Sequence, residues 1–91
     1  MIVRILTEGQ YEITGDLLEE LDREDNRLLE AIANSDEEAF RRELETVLAI
    51  VRRGRRLADD ELVESDLILP APDTELTEAL HLFADYPADL T

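Results

Sequence analysis

The chain contains no cysteine, no lysine and no tryptophan, a single histidine, and only three glycines and three prolines among 91 residues. Without cysteine, disulfide staples and thiolate metal centres are excluded, and a reducing compartment is the straightforward expectation. His81 alone supplies neither a zinc ligand set nor the base and orienting group of a nucleophilic triad. Gly9, Gly15 and Gly54 are too scattered for a phosphate-cradling loop. No apolar run approaches the roughly 20 residues that a membrane-spanning helix requires. The opening Met1-Ile2-Val3-Arg4-Ile5-Leu6 lacks the basic start, long apolar stretch and cleavage site of a secretory signal. These absences predict a cytoplasmic, non-enzymatic protein with no catalytic residue, no cofactor and no bound metal.

What the chain has in abundance is negative charge. Asp and Glu number 24 against nine basic residues, all of them arginine, for a formal net charge of −15. In dilute buffer such a surface repels itself and opposes compaction. At molar salt the Debye length falls to about 3 Å and that repulsion largely disappears. The composition therefore fits a very salty, haloarchaeal-type cytoplasm; the competing reading is an acidic partner-binding surface at ordinary salt. Either way, nucleic acid is a poor ligand, because phosphate contacts dominate that affinity.

The length allows one domain, residues 1–91, with a small core. Residues 2–6 are short, apolar and β-branched, which predicts a strand. Glu8-Gly9 supplies a glycine for a tight turn or, alternatively, for a bulge beside it, and residues 11–13 return, giving a hairpin over 1–13. Leu17, Leu18, Leu21, Leu28, Leu29 and Ile32 recur at helical spacing over 16–34, with Asp16 and Glu19 as a capping pattern and Asn34 as the stop. Ser35 and Glu38 resemble a capping box for a second helix over 35–53, striped by Phe40, Leu44, Val47, Leu48 and Val51 and ended by Gly54. Acid-first pairs four apart, Glu19 with Arg23, Glu37 with Arg41 and Glu38 with Arg42, support both helices.

Residues 55–66 read as a polar loop, with one helical turn near 59–62. Leu67-Ile68-Leu69, closed by Pro70 and Pro72, is a third short strand that can add to the hairpin. Asp73 or Thr74 opens a last helix over 74–84 carrying Leu76, Leu80 and Phe83, ended by Pro87, and residues 85–91 form a frayed tail. The predicted architecture is α+β: an N-terminal β-hairpin, extended by 67–69, packed on an antiparallel helical hairpin and a short C-terminal helix.

Two features stand out as candidate partner contacts. Asp25 and Asn26 interrupt the first helix's apolar stripe, where an unpaired buried carboxylate is costly. The alternative is that the stripe rotates and leaves Asp25 at its wet edge. Arg52, Arg53, Arg55 and Arg56 form the only concentrated positive charge. It suits an acidic helix, a lipid headgroup or a phosphate; equally, it serves a helix C-terminus and offsets nearby acid. The stretch 65–78, with two prolines, either presents a defined surface or simply ties the last helix to the core.

Three stretches carry a family resemblance: Met1-Ile2-Val3-Arg4-Ile5-Leu6 with Glu8-Gly9-Gln10-Tyr11, then Leu21-Asp22-Arg23-Glu24-Asp25-Asn26, then Asp60-Glu61-Leu62-Val63-Glu64-Ser65-Asp66-Leu67-Ile68-Leu69-Pro70. In order and spacing they resemble the PspA-associated proteins, PspAA, over nearly the whole chain to about Phe83. Residues 84–91 carry no matching pattern. The resemblance implies a cytoplasmic accessory of PspA, a coiled-coil protein of the envelope-stress response that remodels membranes. It offers no catalytic residues. The membrane is then reached only through the partner, and a homo-oligomer is compatible. A small transcriptional or signalling regulator is the alternative from a different class.

Overall fold

The computed structural model describes residues 1–61 and 63–84, with side chains described as far as Leu80. Two short strands, β1 (Ile2–Ile5) and β2 (Gly9–Glu12), pair antiparallel with Val3 opposite Tyr11 and Arg4 opposite Gln10. Ile13 still exchanges hydrogen bonds with Met1 beyond the end of β2, at 2.8 and 3.0 Å. The connecting turn differs from the expectation. Residues 6–8 make it, Thr7 is the left-handed residue at φ 74°, and Gly9 opens β2 instead of shaping the turn.

Two helices follow, α1 (Asp16–Ala33) and α2 (Glu37–Arg52). Gly15, not Asp16, caps α1; Asp16 and Glu19 sit in the first turn, where their charge suits the positive end of the helix. At its other end Asn34 stays right-handed and Ser35 adopts φ 53°. The amides of Ser35 and Asp36 return to the carbonyls of Ile32 and Ala31, both at 3.0 Å, which closes the helix as a Schellman motif. Ser35 is thereby consumed as a stop. The cap of α2 passes to Asp36, whose Oδ1 accepts from the Ala39 amide at 3.1 Å. Of the predicted helix-surface pairs, Arg41 meets Glu37 at 3.2 Å. Arg27 meets Glu24 at 3.1 Å, and neither Glu19 with Arg23 nor Glu38 with Arg42 closes among the described residues.

The segment expected to be a loop over 55–66 begins with a strand, β3 (Arg55–Arg56), which pairs antiparallel with β2. A turn at Ala58 to Glu61 follows, with the Glu61 amide on the Ala58 carbonyl at 3.0 Å; Leu62, where that turn was expected to end, lies outside the described residues. The third strand expected over 67–69 is present as β4 (Leu67–Leu69), parallel to β1. The result is a mixed four-stranded sheet in the order β3-β2-β1-β4. The last helix, α3 (Leu76–Ala84), starts two residues later than Thr74, which lies in the preceding turn with its amide on the Ala71 carbonyl. The expected roles of Phe83, Pro87 and the tail 85–91 lie outside the described residues.

Strand alternation sends Val3, Ile5, Tyr11, Ile13 and Leu69 to the sheet's inner face, against Leu21, Leu28 and Ile32 of α1 and Phe40, Val47 and Val51 of α2. Ala79 of α3 is buried against the same cluster, with Leu76 and Leu80 packed around it. Leu29, expected in the buried stripe of α1, is exposed. The outer face is only partly covered. Leu57 is buried to 3% exposure yet lies apart from the main core, because its amide pairs with the Gln10 carbonyl at 2.9 Å and alternation turns it outward. Gln10, also on that face, donates from Nε2 to the Val63 carbonyl at 2.7 Å and to Ser65 Oγ at 2.8 Å, holding residues 57–65 across β2 and β3.

Gly54 joins α2 to β3. A Cβ there would stand 2.3 Å from Ile13 Cδ1 and 2.7 Å from the Glu12 carbonyl oxygen. The side chain could swing away; the backbone of β2 could not without breaking the pairing with β3. Gly54→Ala is expected to lower unfolding stability by about 2–3 kcal/mol, the usual scale of overpacking at a site that cannot relax, and chemical denaturation measures it directly.

Candidate functional site

The four clustered arginines do come together, at the junction of α2 and β3, but each is matched by an acid of the same chain. Arg52 holds the Glu8 carboxylate with two nitrogens, its Nε at 3.1 Å from Oε2. This charge-assisted contact holds the Glu8 carboxyl below its ordinary range. Arg53 reaches Glu20 of α1 at 3.1 Å, and Arg55 reaches Glu12 across the strand pair at 3.3 Å. Arg56 donates to the Glu8 carbonyl at 2.7 Å and lies 3.7 Å from Asp59. The cluster is therefore a set of ties from the end of α2 and β3 to the β1–β2 turn, to β2 and to α1. Most of these groups are exposed, so each pair contributes a fraction of a kcal/mol to about 1.

Asp25 and Asn26 lie on α1, about one and a half turns beyond Glu20 and away from the arginines in sequence. Asn26 is exposed. Asp25 is half-buried between the layers of Leu21 and Leu28, with no hydrogen bond or ion pair among the described residues. Burial, assisted by the Asp22 carboxylate, pushes it up to about 6 from an ordinary 3.8.

A second acidic feature went unnoticed in the sequence. Glu24 of α1, with a side chain 15% exposed and bound by Arg27 at 3.1 Å, faces Glu43 of α2. Burial and the Glu24 carboxyl both raise Glu43, while Arg27 and Arg42 oppose the shift. The Glu43 Oε2 is enclosed without a hydrogen-bond partner among the described residues. Two ionised carboxylates offer only acceptors, so the pair is satisfied only when it holds a proton. Neither residue interrupts an apolar stripe; the helix crossing alone brings them together.

The outer sheet face is the third feature. The row Ile68, Arg4, Gln10 runs across β4, β1 and β2. Ile68 is 45% exposed, and Arg4 has no ion-pair partner among the described residues. Beside them lies an open cleft of about 380 Å³ whose lining includes Arg4, Leu57, Asp59, Glu61, Val63 and Glu64. The signal for Arg4 was in the sequence, as the one charged residue within residues 2–6.

A model of the PspA-associated protein family, PspAA, matches residues 1–88. The chain belongs to that family. The match reaches past Phe83 into residues 84–88, where the sequence showed no pattern of its own. No curated protein and no solved structure matches the chain. Membership of the PspA-associated family links the chain to PspA. No helix among the described residues is long and apolar enough to cross a membrane.

Two substitutions test the acidic features of this PspA-associated chain. For Asp25 the folded-state value is raised, so its stabilising contribution is complete below about pH 3.8 and is lost as pH rises through about 6. Asp25→Asn is expected to match the parent near pH 4 and to exceed it by on the order of 2 kcal/mol at pH 7, in urea melts along a pH series. Glu43→Gln gives Glu24 a donor at the enclosed position. It is expected to raise unfolding stability at pH 7 by about 1 kcal/mol, measured the same way.

Proposed function

We propose that the chain is a non-enzymatic, cytoplasmic accessory that binds a PspA-like coiled-coil protein and modulates the response to membrane stress. The single observation that carries this reading is the family match over residues 1–88. The physical chemistry is in keeping with it. The four arginines of the junction, offered by the sequence as a partner contact, each also meet an acid of the same chain. The acidic exterior keeps the molecule off nucleic acid and off anionic lipid, so the membrane is reached through the partner. The same exterior suits a cytoplasm at molar salt.

Affinity capture on the immobilised chain, from lysate of the native organism in molar potassium chloride with mass spectrometry of the eluate, tests this reading. PspA is expected among the enriched proteins. Enrichment of a polymerase, a nucleic acid or a metabolic enzyme without PspA would replace the reading with another.

A further inference from the structure

We infer that the open half of the outer sheet face, built by β1 and β4, docks one amphipathic helix of PspA that carries a carboxylate within its apolar stripe, with Arg4 as the counter-ion. The inference rests on the reading of the chain as a PspA partner and adds the surface and the chemistry of contact.

The face is divided. Leu57 and the Gln10 hydrogen bonds bring residues 57–65 over β2 and β3, and the cleft this segment lines reaches Arg4 of β1 at its edge. Over β1 and β4 nothing among the described residues covers Arg4 or Ile68, and Ile2 is only half-buried. A sheet face that leaves apolar side chains such as Ile68 in water gains by burying them against another layer, often a helix. The dimensions suit one helix: strands of three and four residues span about 10–13 Å, close to the width of a helix with its side chains.

Charge selects what that helix carries. The chain has 24 carboxylates, yet none of the described ones lies within ion-pair distance of Arg4. Asp59, Glu61 and Glu64 line the same cleft as Arg4, and Asp59 is engaged instead by Arg56. Arg23 and Arg42 are likewise exposed and without an ion pair among the described residues, but they stand on helix surfaces, whereas Arg4 alone lies on the sheet face beside the exposed Ile68. Arg4 stands between Ile68 and Gln10, and a layer laid over Ile68 would strip its water and leave the guanidinium uncompensated. The occupant must therefore bring an acid to this point. The acidic rim formed by Asp59, Glu61 and Glu64 asks for basic residues flanking that stripe. A planar guanidinium with two parallel donors can hold the incoming carboxylate in one register, which fixes the helix along its axis.

Binding of purified PspA to the full chain in molar potassium chloride, followed by titration calorimetry, tests the assignment. Arg4→Glu, Arg4→Gln and Ile68→Thr are each expected to weaken binding by about tenfold or more. Both positions face solvent, so thermal melts should match the parent. Arg23→Glu, which changes net charge as Arg4→Glu does but lies on α1, is expected to bind as the parent. Reversal of one PspA carboxylate to arginine should restore binding to Arg4→Glu. Parent binding that all the Arg4 and Ile68 variants retain would overturn the surface while leaving the partner reading intact. Absence of binding by the parent chain would overturn both. Concentration-dependent self-association abolished by Ile68→Thr would assign the face to a second copy and overturn the inference.

Discussion

Where the end of α2 meets the end of β2, the two backbones approach so closely that only a residue without a side chain fits between them, and that residue is Gly54. Its amide still closes the helix, on the Val51 carbonyl at 2.9 Å, so the chain leaves α2 without a loop and enters β3 at once. Much else depends on this contact. β3 can pair with β2 only because the helix delivers it there, and the pairing turns Leu57 to the outer face beside Gln10. The wrap of residues 57–65, the half-covered outer sheet and the return of the chain into β4 all follow from that placement. The four arginines flank the same glycine, two from the helix end and two from the strand. Their matching acids come from β2, from the β1–β2 turn, from α1 and from the turn after β3.

This explains why the cluster is positive within a chain of −15. Cations at a helix C-terminus complement its dipole, and here they also meet Glu8, Glu12 and Glu20, which would otherwise crowd one corner of the domain. Each pair is weak in water and weaker in brine. Their joint effect is one of geometry more than energy, since three of the ties span more than 30 residues of sequence. A concentrated basic patch in an acidic protein reads as a binding site in sequence; in space each of its arginines also meets an acid of the same chain.

The legible parts of the fold were those governed by period and length. The stripes of α1 and α2 and the apolar runs at residues 2–6 and 67–69 each force an element, and the mixed α+β arrangement follows from burying them together. The cap of α2 was misplaced by a residue because Ser35 suits two roles. As a capping-box serine it would start α2, but the Schellman closure of α1 takes it first and hands the cap to Asp36. β3 was illegible for a different reason. Two consecutive arginines carry no strand signal, and their conformation is imposed by the approach at Gly54. The pairing of Glu24 with Glu43 is likewise a product of the helix crossing, invisible in either helix alone. Asp25 was visible because it interrupts a period, and the structure places it half in the protein and half out.

Two electrostatic burdens coexist in the molecule and respond to different solvent variables. Repulsion among exposed carboxylates is long-ranged and falls away as the Debye length shrinks with salt. The burdens at Asp25 and Glu43 arise first from loss of water around a carboxylate, and salt does not restore that water. Salt can therefore relieve the surface without relieving the helix hairpin, whereas a proton relieves both sites within it. In a domain whose total stability is on the order of 5–15 kcal/mol, the interior carboxylates leave α1 and α2 sensitive to pH even where the surface is fully screened. The sheet's outer face, lying across the core from that hairpin, is held by hydrogen bonds of Gln10, by Leu57 and by carboxylate contacts of Glu61 to the Ala58 amide and of Asp66 to the Ile2 amide. The carboxylates that burial strains are those of the helical layer, and it is there that a proton brings relief.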